Sequence, residues 1–124
     1  MKILKKKAYT VKCEDRLKLF KPVHINPGVF INARGDITIG QNSHISRGCK
    51  LMTGYLDEKT REHKYGPICI EKNVWLACNV VVSHDVNIGE GCIVGAGSVV
   101  TRSLPSYWFC AGSPAKPIRK LERK

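Results

Sequence analysis

Aliphatic residues recur every six positions through the second half of the chain. From residue 70 onward, the first position of each group of six holds Ile70, Leu76, Val82, Ile88, Val94 and Val100. The fifth position is small or apolar and holds Val74, Val80, Val86, Cys92, Ser98 and Leu104. No α-helix has this period, since helical faces recur every three or four residues, and simple β-alternation has a period of two. The pattern predicts short strands joined by tight bends, with three groups of six closing one triangular coil.

The pattern continues upstream of residue 70 with two interruptions. Three further groups begin at Ile39, Ile45 and Leu51. Nineteen positions separate Leu51 from Ile70 where six would keep the frame, so we expect residues 53–67 to form a loop that protrudes from the coil. Three more aliphatic residues lie six apart in a frame shifted by two: Ile25, Ile31 and Ile37. The shift predicts an irregular turn at residues 32–36.

The repeat defines the expected organisation of the chain. We predict an all-β parallel β-helix over residues 23–105, with the loop 53–67 as its one protrusion. The first 22 residues do not repeat, and we expect them to cap the first coil, because the open end of a solenoid needs a polar cover. Residues 106–124 break the pattern with further prolines and are expected to form a C-terminal cap and a basic tail.

Positive charge is concentrated at the two ends of the chain. The net charge is +11, with eight Lys and Arg in residues 1–21 and five in residues 116–124. Such ends are usually solvated tails, and a surface for a polyanion is the alternative. Nucleic-acid modules more often interleave aromatic with basic residues, whereas these ends hold only Tyr9 and Phe20 before the tail. We therefore expect no nucleic-acid partner.

The cysteines indicate whether to expect a metal site and a reducing compartment, and the apolar runs indicate whether to expect a membrane span. The six cysteines form no CxxC pair and no Cys/His spacing typical of a metal site, so we expect no metal. They are expected to be free thiols in a reducing compartment. No apolar run approaches a membrane span or a signal peptide, and we predict a cytoplasmic protein without a membrane span.

Three strings in the repeat region carry a family resemblance. They are Ile70–Leu76 (IEKNVWL), Ile88–Thr101 (IGEGCIVGAGSVVT) and Ala111–Arg119 (AGSPAKPIR). The chain resembles the hexapeptide-repeat acyltransferases, in particular the maltose, galactoside and polysaccharide O-acetyltransferases. The resemblance implies a left-handed coil, acetyl-CoA as acyl donor, and a homotrimer with active sites in the clefts between subunits.

The resemblance also implies a set of cofactor-binding residues: Ala77, Cys78, Ala96, Thr101, Arg102, Lys116 and Arg119. The first three match backbone contacts to the pantetheine arm, and the next two match a Thr-Lys pair near the lower part of the cofactor. The last two match cations that meet CoA phosphate, a charge-assisted pairing that is chemically reasonable. The alternative is that these residues are only coil positions and a solvated tail.

Acyl transfer to a hydroxyl needs a general base, because an alcohol is a poor nucleophile at neutral pH. The relatives supply a histidine shortly after a Thr-Gly at the start of the protruding loop. Here Thr53–Gly54 is followed by Tyr55 and Leu56, and neither position holds histidine. We expect His63, in the same loop, to replace the missing base, and His84 is the weaker candidate.

The acceptor is expected to be a sugar or saccharide hydroxyl. By resemblance, Asn26 and Asp36 match acceptor contacts of the sugar enzymes. Two alternatives remain open: a degenerate member that keeps the fold without efficient transfer, and an N-acetyltransferase acting on an amino sugar, since an amine asks less of a base. A zinc hydratase on the same fold would need three converging histidines, which the spacing does not provide.

Overall fold

The chain folds into short strands that follow one another around a solenoid. The computed structural model describes residues 3–6 and 9–122, with side chains from Tyr9 onward. In chain order the strands are β1 (Ile3–Lys6), β2 (Tyr9–Lys12), β3 (Leu17–Leu19), β4 (His24–Ile25), β5 (Phe30–Asn32), β6 (Ile37–Ile39), β7 (His44–Ile45), β8 (Lys50–Met52), β9 (Gly54–Leu56), β10 (His63–Tyr65), β11 (Ile68–Ile70), β12 (Trp75–Leu76), β13 (Val81–Val82), β14 (Val86–Ile88), β15 (Ile93–Val94), β16 (Val99–Val100), β17 (Trp108–Gly112) and β18 (Ala115–Lys120). A single 3-10 turn, Glu14–Arg16, separates β2 from β3.

Three sheets form the sides of the solenoid within the described residues. The first sheet has the order β1-β2-β5-β8-β13-β16, the second β3-β6-β11-β14, and the third β4-β7-β12-β15-β17-β18. All neighbours are parallel except β1 with β2 and β17 with β18, which are antiparallel. The result is an all-β solenoid of about five turns, in agreement with the left-handed parallel β-helix expected from the sequence.

The six-residue pattern places its aliphatic residues inside the coil. Along the second sheet, for example, Ile39, Ile70 and Ile88 pair in register, and each is at most 1% exposed. The residues at the fifth position of each group of six are also buried, and the polar side chains among them form hydrogen bonds. Ser43 donates its hydroxyl to the Glu71 carbonyl (2.7 Å) and accepts the Val74 N–H (3.1 Å). The core is therefore a narrow column of side chains that are stacked from coil to coil.

The bends explain why Gly, Asn and Asp occupy a fixed position of the repeat. The third residue after an aliphatic head has a positive φ, which glycine, asparagine and aspartate tolerate best. This position holds Gly28, Asn42, Gly48, Asn73, Asn79, Asp85, Gly91 and Gly97. Glycines 89 and 95, also at bends, have ordinary φ values instead, and at Gly95 an added Cβ would lie 3.1 Å from the Ala111 Cβ.

The first coil begins earlier than the sequence pattern indicated. Strands β2 and β3 lie inside the segment 1–22 that was expected to be a cap, and they pair in parallel with β5 and β6. Leu19 pairs with Ile39 and Ile25 with Ile45, so this coil has twenty residues per turn. The two extra residues fall between Ile31 and Ile37, as predicted from the frame shift. The division into three segments stays a prediction, and residues 1, 2, 7, 8, 123 and 124 lie outside the described part of the chain.

The segment 53–67 leaves the coil as a β-hairpin formed by β9 and β10. The two strands are antiparallel, with Gly54 opposite Tyr65 and Leu56 opposite His63. At the C-terminal end, β17 continues the third sheet and β18 turns back along it. Within the described residues, no helix is long and apolar enough to cross a membrane.

Candidate functional site

Apart from Lys116 and Arg119, which lie on β18, the predicted site residues lie on two different edges of the solenoid. The small-residue edge is the series of bends from the third sheet to the first: residues 26–28, 46–48, 77–79 and 95–97. The hairpin edge is the series from the first sheet to the second: residues 32–36, 53–67, 83–85 and 101–103. The first sheet separates these two edges.

Backbone hydrogen bonds connect successive bends of the small-residue edge. The Gly97 N–H donates to the Cys78 carbonyl (2.9 Å), and the Asn79 N–H donates to the Arg47 carbonyl (2.9 Å). Ala96 and Cys78 are exposed, and a Cβ added to Gly97 would meet nothing within 4 Å. At Ala96 and Gly97 a narrow ligand could thus approach the backbone closely. This shape fits the pantetheine arm of CoA, which is long, thin and uncharged.

Thr53 anchors the hairpin to the coil. Its buried hydroxyl donates to the Asn32 carbonyl (2.7 Å) and accepts the Gly35 N–H (3.0 Å). The Gly66 N–H donates to the Thr53 carbonyl (2.9 Å), which closes the base of the hairpin. The side chain therefore ties the insertion to the irregular turn of the coil beneath it.

The tip of the hairpin is closed by Asp57. Its carboxylate accepts the backbone N–H groups of Lys59 and Thr60, both at 2.9 Å, and lies 3.2 Å from the Lys64 ammonium. These hydrogen bonds and the ammonium hold the pKa of Asp57 below its usual range. The tip is thus a compact turn that fixes the direction of both hairpin strands.

A cavity of about 300 Å³ lies between the hairpin and the lower coils. We call it the hairpin groove, and its lining includes Lys12, Asn32, Arg34, Leu56, His63 and Tyr65. Since side chains alternate along a strand, the paired residues Leu56 and His63 share one face of the hairpin. His63 is exposed and faces a space that a small molecule could fill.

His84 lies at the hairpin edge with Tyr55. Its ring stacks on the Tyr55 ring, with centroids 3.9 Å apart and 17° between the planes. Its Nδ1 lies 2.9 Å from the Asp85 carboxylate, so Asp85 orients the imidazole. His84 therefore packs on Tyr55, one of the two positions where the resemblance implies a histidine, whereas His63 lies on the groove face of the hairpin.

The predicted phosphate-binding cations lie on β18. Lys116 is exposed and pairs in register with Ala111 of β17. The neighbouring strand of β17 is β15, which leads directly into the bend 95–97 of the small-residue edge. Arg119 lies over the Phe109 ring, with its guanidinium carbon 5.3 Å from the ring centroid. Two other predicted residues, Thr101 and Arg102, are exposed on the hairpin edge instead. One chain therefore does not bring the whole predicted cofactor set together.

The two predicted acceptor residues are also separated. Asn26 lies on the small-residue edge, where its N–H donates to the Ile45 carbonyl (2.9 Å). Asp36 lies on the hairpin edge and accepts a hydrogen bond from Arg16 Nε (3.1 Å). Asp36 is therefore next to the groove side of the molecule, and Asn26 is next to the expected path of the pantetheine arm.

Sequence reasoning missed Lys12, Arg34 and Tyr65 as groove residues. A signal was present, because Leu19 lies six residues before Ile25 and would have extended the repeat into the segment taken as a cap. That extension would have placed Lys12 on the first sheet. The contact of Arg34 Nη1 with the Tyr65 hydroxyl (2.7 Å) depends on the hairpin fold and had no sequence signal.

Comparisons with known proteins agree on one family. Residues 70–102 match the family described as bacterial transferase hexapeptide (six repeats). A protein of Schizosaccharomyces pombe assigned as an acetyltransferase is 45% identical over 93 residues, which cover 71% of this chain and 45% of the relative. A protein of Escherichia coli assigned to colanic acid biosynthesis as an acetyltransferase is 43% identical, over 69% of this chain and 48% of its own. The chain thus spans about half the length of these relatives.

Solved structures share the fold. A hexapeptide-repeat acetyltransferase of Vibrio cholerae, complexed with acetyl-CoA, superposes with a TM-score of 0.87 at 28% identity, over 93% of this chain and 65% of that one. A galactoside acetyltransferase in complex with coenzyme A gives a TM-score of 0.74 at 28% identity, over 86% and 60%. Both structures therefore share the fold of this chain and were solved with a bound CoA species.

Proposed function

Because this chain belongs to the hexapeptide-repeat acetyltransferase family, we propose that it transfers an acetyl group from acetyl-CoA to a hydroxyl of a sugar or saccharide. The observation that carries the proposal is the small-residue edge, where the small residues Ala77, Ala96 and Gly97 leave room for a pantetheine arm. Relatives with the same fold bind acetyl-CoA or CoA. The residues proposed for donor binding are those predicted from the sequence: Ala77, Cys78, Ala96, Thr101, Arg102, Lys116 and Arg119.

The separation of the two edges supports a homotrimer as the active form. Donor residues on the small-residue edge of one subunit would meet the hairpin edge of the next across a cleft. The outer face of the third sheet offers a contact surface, the outer stripe, formed in register by His24, His44, Trp75, Ile93 and Phe109. Trp75 is 50% exposed in the single chain, so a neighbour that covered the stripe would remove apolar surface from water.

We propose His63 as the general base. Acetyl-CoA supplies an activated thioester carbonyl, and an acceptor hydroxyl oxygen attacks that carbon. The imidazole takes the hydroxyl proton, the C–S bond breaks, and the proton passes to the departing thiolate, so that an ester and free CoA result. His63 suits this role because it opens onto the hairpin groove, where an acceptor could lie. Asn26 and Asp36 are proposed to contact the acceptor.

A thiol-release assay tests the proposed function. Purified protein, acetyl-CoA and a panel of neutral, acidic and amino sugars are combined, and free CoA is measured against protein-free controls. Acceptor-dependent release with sugars that lack an amine supports O-acetylation. Release with amino sugars alone would establish the N-acetyltransferase alternative. Absence of release with every acceptor, combined with retained CoA binding, would establish the degenerate alternative.

A further inference from the structure

Two neighbouring residues of the coil, His84 and Asp85, contact both strands of the hairpin. The His84 ring stacks on Tyr55 in β9, with the ring centroids 3.9 Å apart. The Asp85 carboxylate lies against the backbone of Gly66, the residue that follows β10, and would collide with a Cβ at that position. Their bend, residues 83–85, lies one coil further toward the C-terminus than the hairpin. It therefore meets the hairpin from the side opposite to the lower coils and the hairpin groove.

The groove face of the hairpin carries the proposed base. Side chains alternate along a strand, so Tyr55 and its neighbour Leu56 point to opposite faces. Leu56 pairs with His63, and both residues line the hairpin groove. His84 thus contacts the back of β9, while His63 stands on the front of the hairpin. The place of His63 in the groove depends on how firmly the back of the hairpin is held.

On the basis of the proposed function, we propose that His84 and Asp85 are positioning residues for the transfer reaction, which fix the hairpin strands that carry His63. Thr53 ties the base of the hairpin to the coil beneath, and the bend 83–85 fixes its strands from the other side. A displacement of about 1 Å between reacting groups can cost about a hundredfold in rate. Contacts that hold the hairpin in one place therefore contribute to the rate without touching the acceptor.

Asp85 in turn orients the imidazole of His84. Its carboxylate lies 2.9 Å from His84 Nδ1. Asp85 has a φ of 54°, and several equivalent bend positions with a positive φ hold glycine or asparagine, for example Asn73 and Gly91. Aspartate tolerates this backbone conformation as asparagine does, and in addition it supplies a carboxylate. The turn alone therefore does not require aspartate, whereas the imidazole beside it gives the carboxylate a role.

Substitutions of His84 and Asp85 separate a positioning role from an acid–base role. His84→Ala removes the ring, whereas His84→Phe keeps a ring that can stack but that cannot take up or donate a proton. Asp85→Gly removes the carboxylate and tolerates the positive φ. The controls are Lys72→Ala and Asn73→Gly, because these residues occupy the same two repeat positions at an exposed bend away from the hairpin.

Two measurements are made on each variant. Hydrogen–deuterium exchange of the hairpin amides, residues 54–66, reports how often the hairpin opens, with the coil amides as an internal reference. Acceptor-dependent CoA release gives kcat and the acceptor KM, and titration gives the CoA affinity. We expect His84→Ala to speed hairpin exchange by about two- to tenfold, which corresponds to the loss of one aromatic stack.

The kinetic effects should follow the hairpin. In His84→Ala we expect kcat to fall by about tenfold while the CoA affinity is unchanged, because the base is present but less well placed. His84→Phe should lie close to wild type in both measurements, and Asp85→Gly should lie between wild type and His84→Ala. Both controls should behave as wild type.

Unchanged hairpin exchange in His84→Ala would overturn the proposal. Faster exchange with an unchanged kcat would also overturn it, because the contacts would then be only structural. An equal loss of about a hundredfold or more in His84→Phe and His84→Ala would assign His84 an acid–base role instead. A protein inactive with every acceptor would overturn the proposed function and the role in transfer, whereas hairpin exchange, measured without turnover, would still show whether the pair holds the hairpin.

Discussion

His63 is the residue on which the proposed chemistry depends most directly. We expect His63→Ala to lower the transfer rate by about a hundredfold to ten-thousandfold, the usual range for a general base, while leaving CoA affinity unchanged. Transfer is measured as acceptor-dependent CoA release, and affinity by titration of CoA. Glu62→Ala is the control, since Glu62 adjoins His63 on the hairpin but does not line the groove.

A second variant tests Leu56, one of the two positions where the resemblance implies a histidine. Leu56 lies opposite His63 on the same face of the hairpin, so Leu56→His in the His63→Ala background should restore part of the lost activity. A wild-type rate that His63→Ala leaves intact would eliminate His63 as the base. The imidazole oriented by Asp85, His84, would then be the remaining candidate on this edge.

The buried thiol of Cys92 makes the stability of the fold sensitive to alkali. Burial raises the pKa of Cys92, with its neighbour Cys110 contributing further. The folded state therefore keeps this thiol protonated, whereas the unfolded chain ionises near its ordinary value of about 8.5. The stabilisation is full below that pH and declines above it, by at most about 1.4 kcal/mol per pH unit.

Denaturant unfolding at pH 7 and pH 10 measures this effect. Wild type should lose more stability between the two pH values than Cys92→Val, which fills the same position without an ionisable group. Titrating lysines and tyrosines contribute equally to both proteins and cancel in the comparison. Equal losses would show that the Cys92 thiol ionises as readily in the folded protein as in the unfolded one.

At the scale of elements, Thr53 connects the hairpin to the coil. Thr53→Val keeps the shape of the side chain but leaves the buried Gly35 N–H and the Asn32 carbonyl without their partner. We expect a loss of about 1–3 kcal/mol in the free energy of unfolding, measured by denaturant titration. Thr53→Ser retains the hydroxyl and should lose clearly less. If the valine variant matched wild type, the hydroxyl would not anchor the hairpin.

The cations of strand β18 are expected to contribute to CoA binding. Lys116→Ala combined with Arg119→Ala should weaken CoA binding by about 1–3 kcal/mol, because charge-assisted bonds to phosphate would be lost. Dephospho-CoA, which lacks one phosphate, should be affected less. Lys120→Ala removes a cation from the same strand and is the control. Equal losses for both ligands, or a similar loss for Lys120→Ala, would show that β18 contributes only general positive charge.

The regular elements could be predicted from the sequence, and the insertions only in part. Core positions such as Ile70 and Leu76 recur with a period that no other regular structure shares, so the solenoid fold could be predicted from the sequence. The first coil was missed because its turns have twenty residues, which breaks the eighteen-residue spacing seen later. The stack of His84 on Tyr55 and the bond from Arg34 to Tyr65 join insertion to coil across long sequence separations. No local pattern encodes such contacts.

At the scale of the whole molecule, the outer stripe predicts association. We expect a trimer by light scattering in moderate salt, because three copies can cover one another's stripes around a closed three-fold axis. Trp75→Glu places a charge in the stripe and should shift the mass toward a monomer. Gln41→Glu adds the same charge at an exposed bend outside the stripe and should leave the mass unchanged. A monomeric wild type would contradict both the trimer and the shared active site.

In the proposed reaction, the acetyl carbonyl of acetyl-CoA becomes the ester carbonyl of an acetylated saccharide. The most direct measurement is NMR of the product formed from acetyl-CoA carrying a carbon-13 label in the carbonyl, with the best acceptor from the thiol-release panel. We predict a labelled ester attached to a ring carbon of the saccharide, formed in proportion to the CoA released. Label that remains on CoA, or appears only as free acetate at the rate seen without acceptor, would contradict the account.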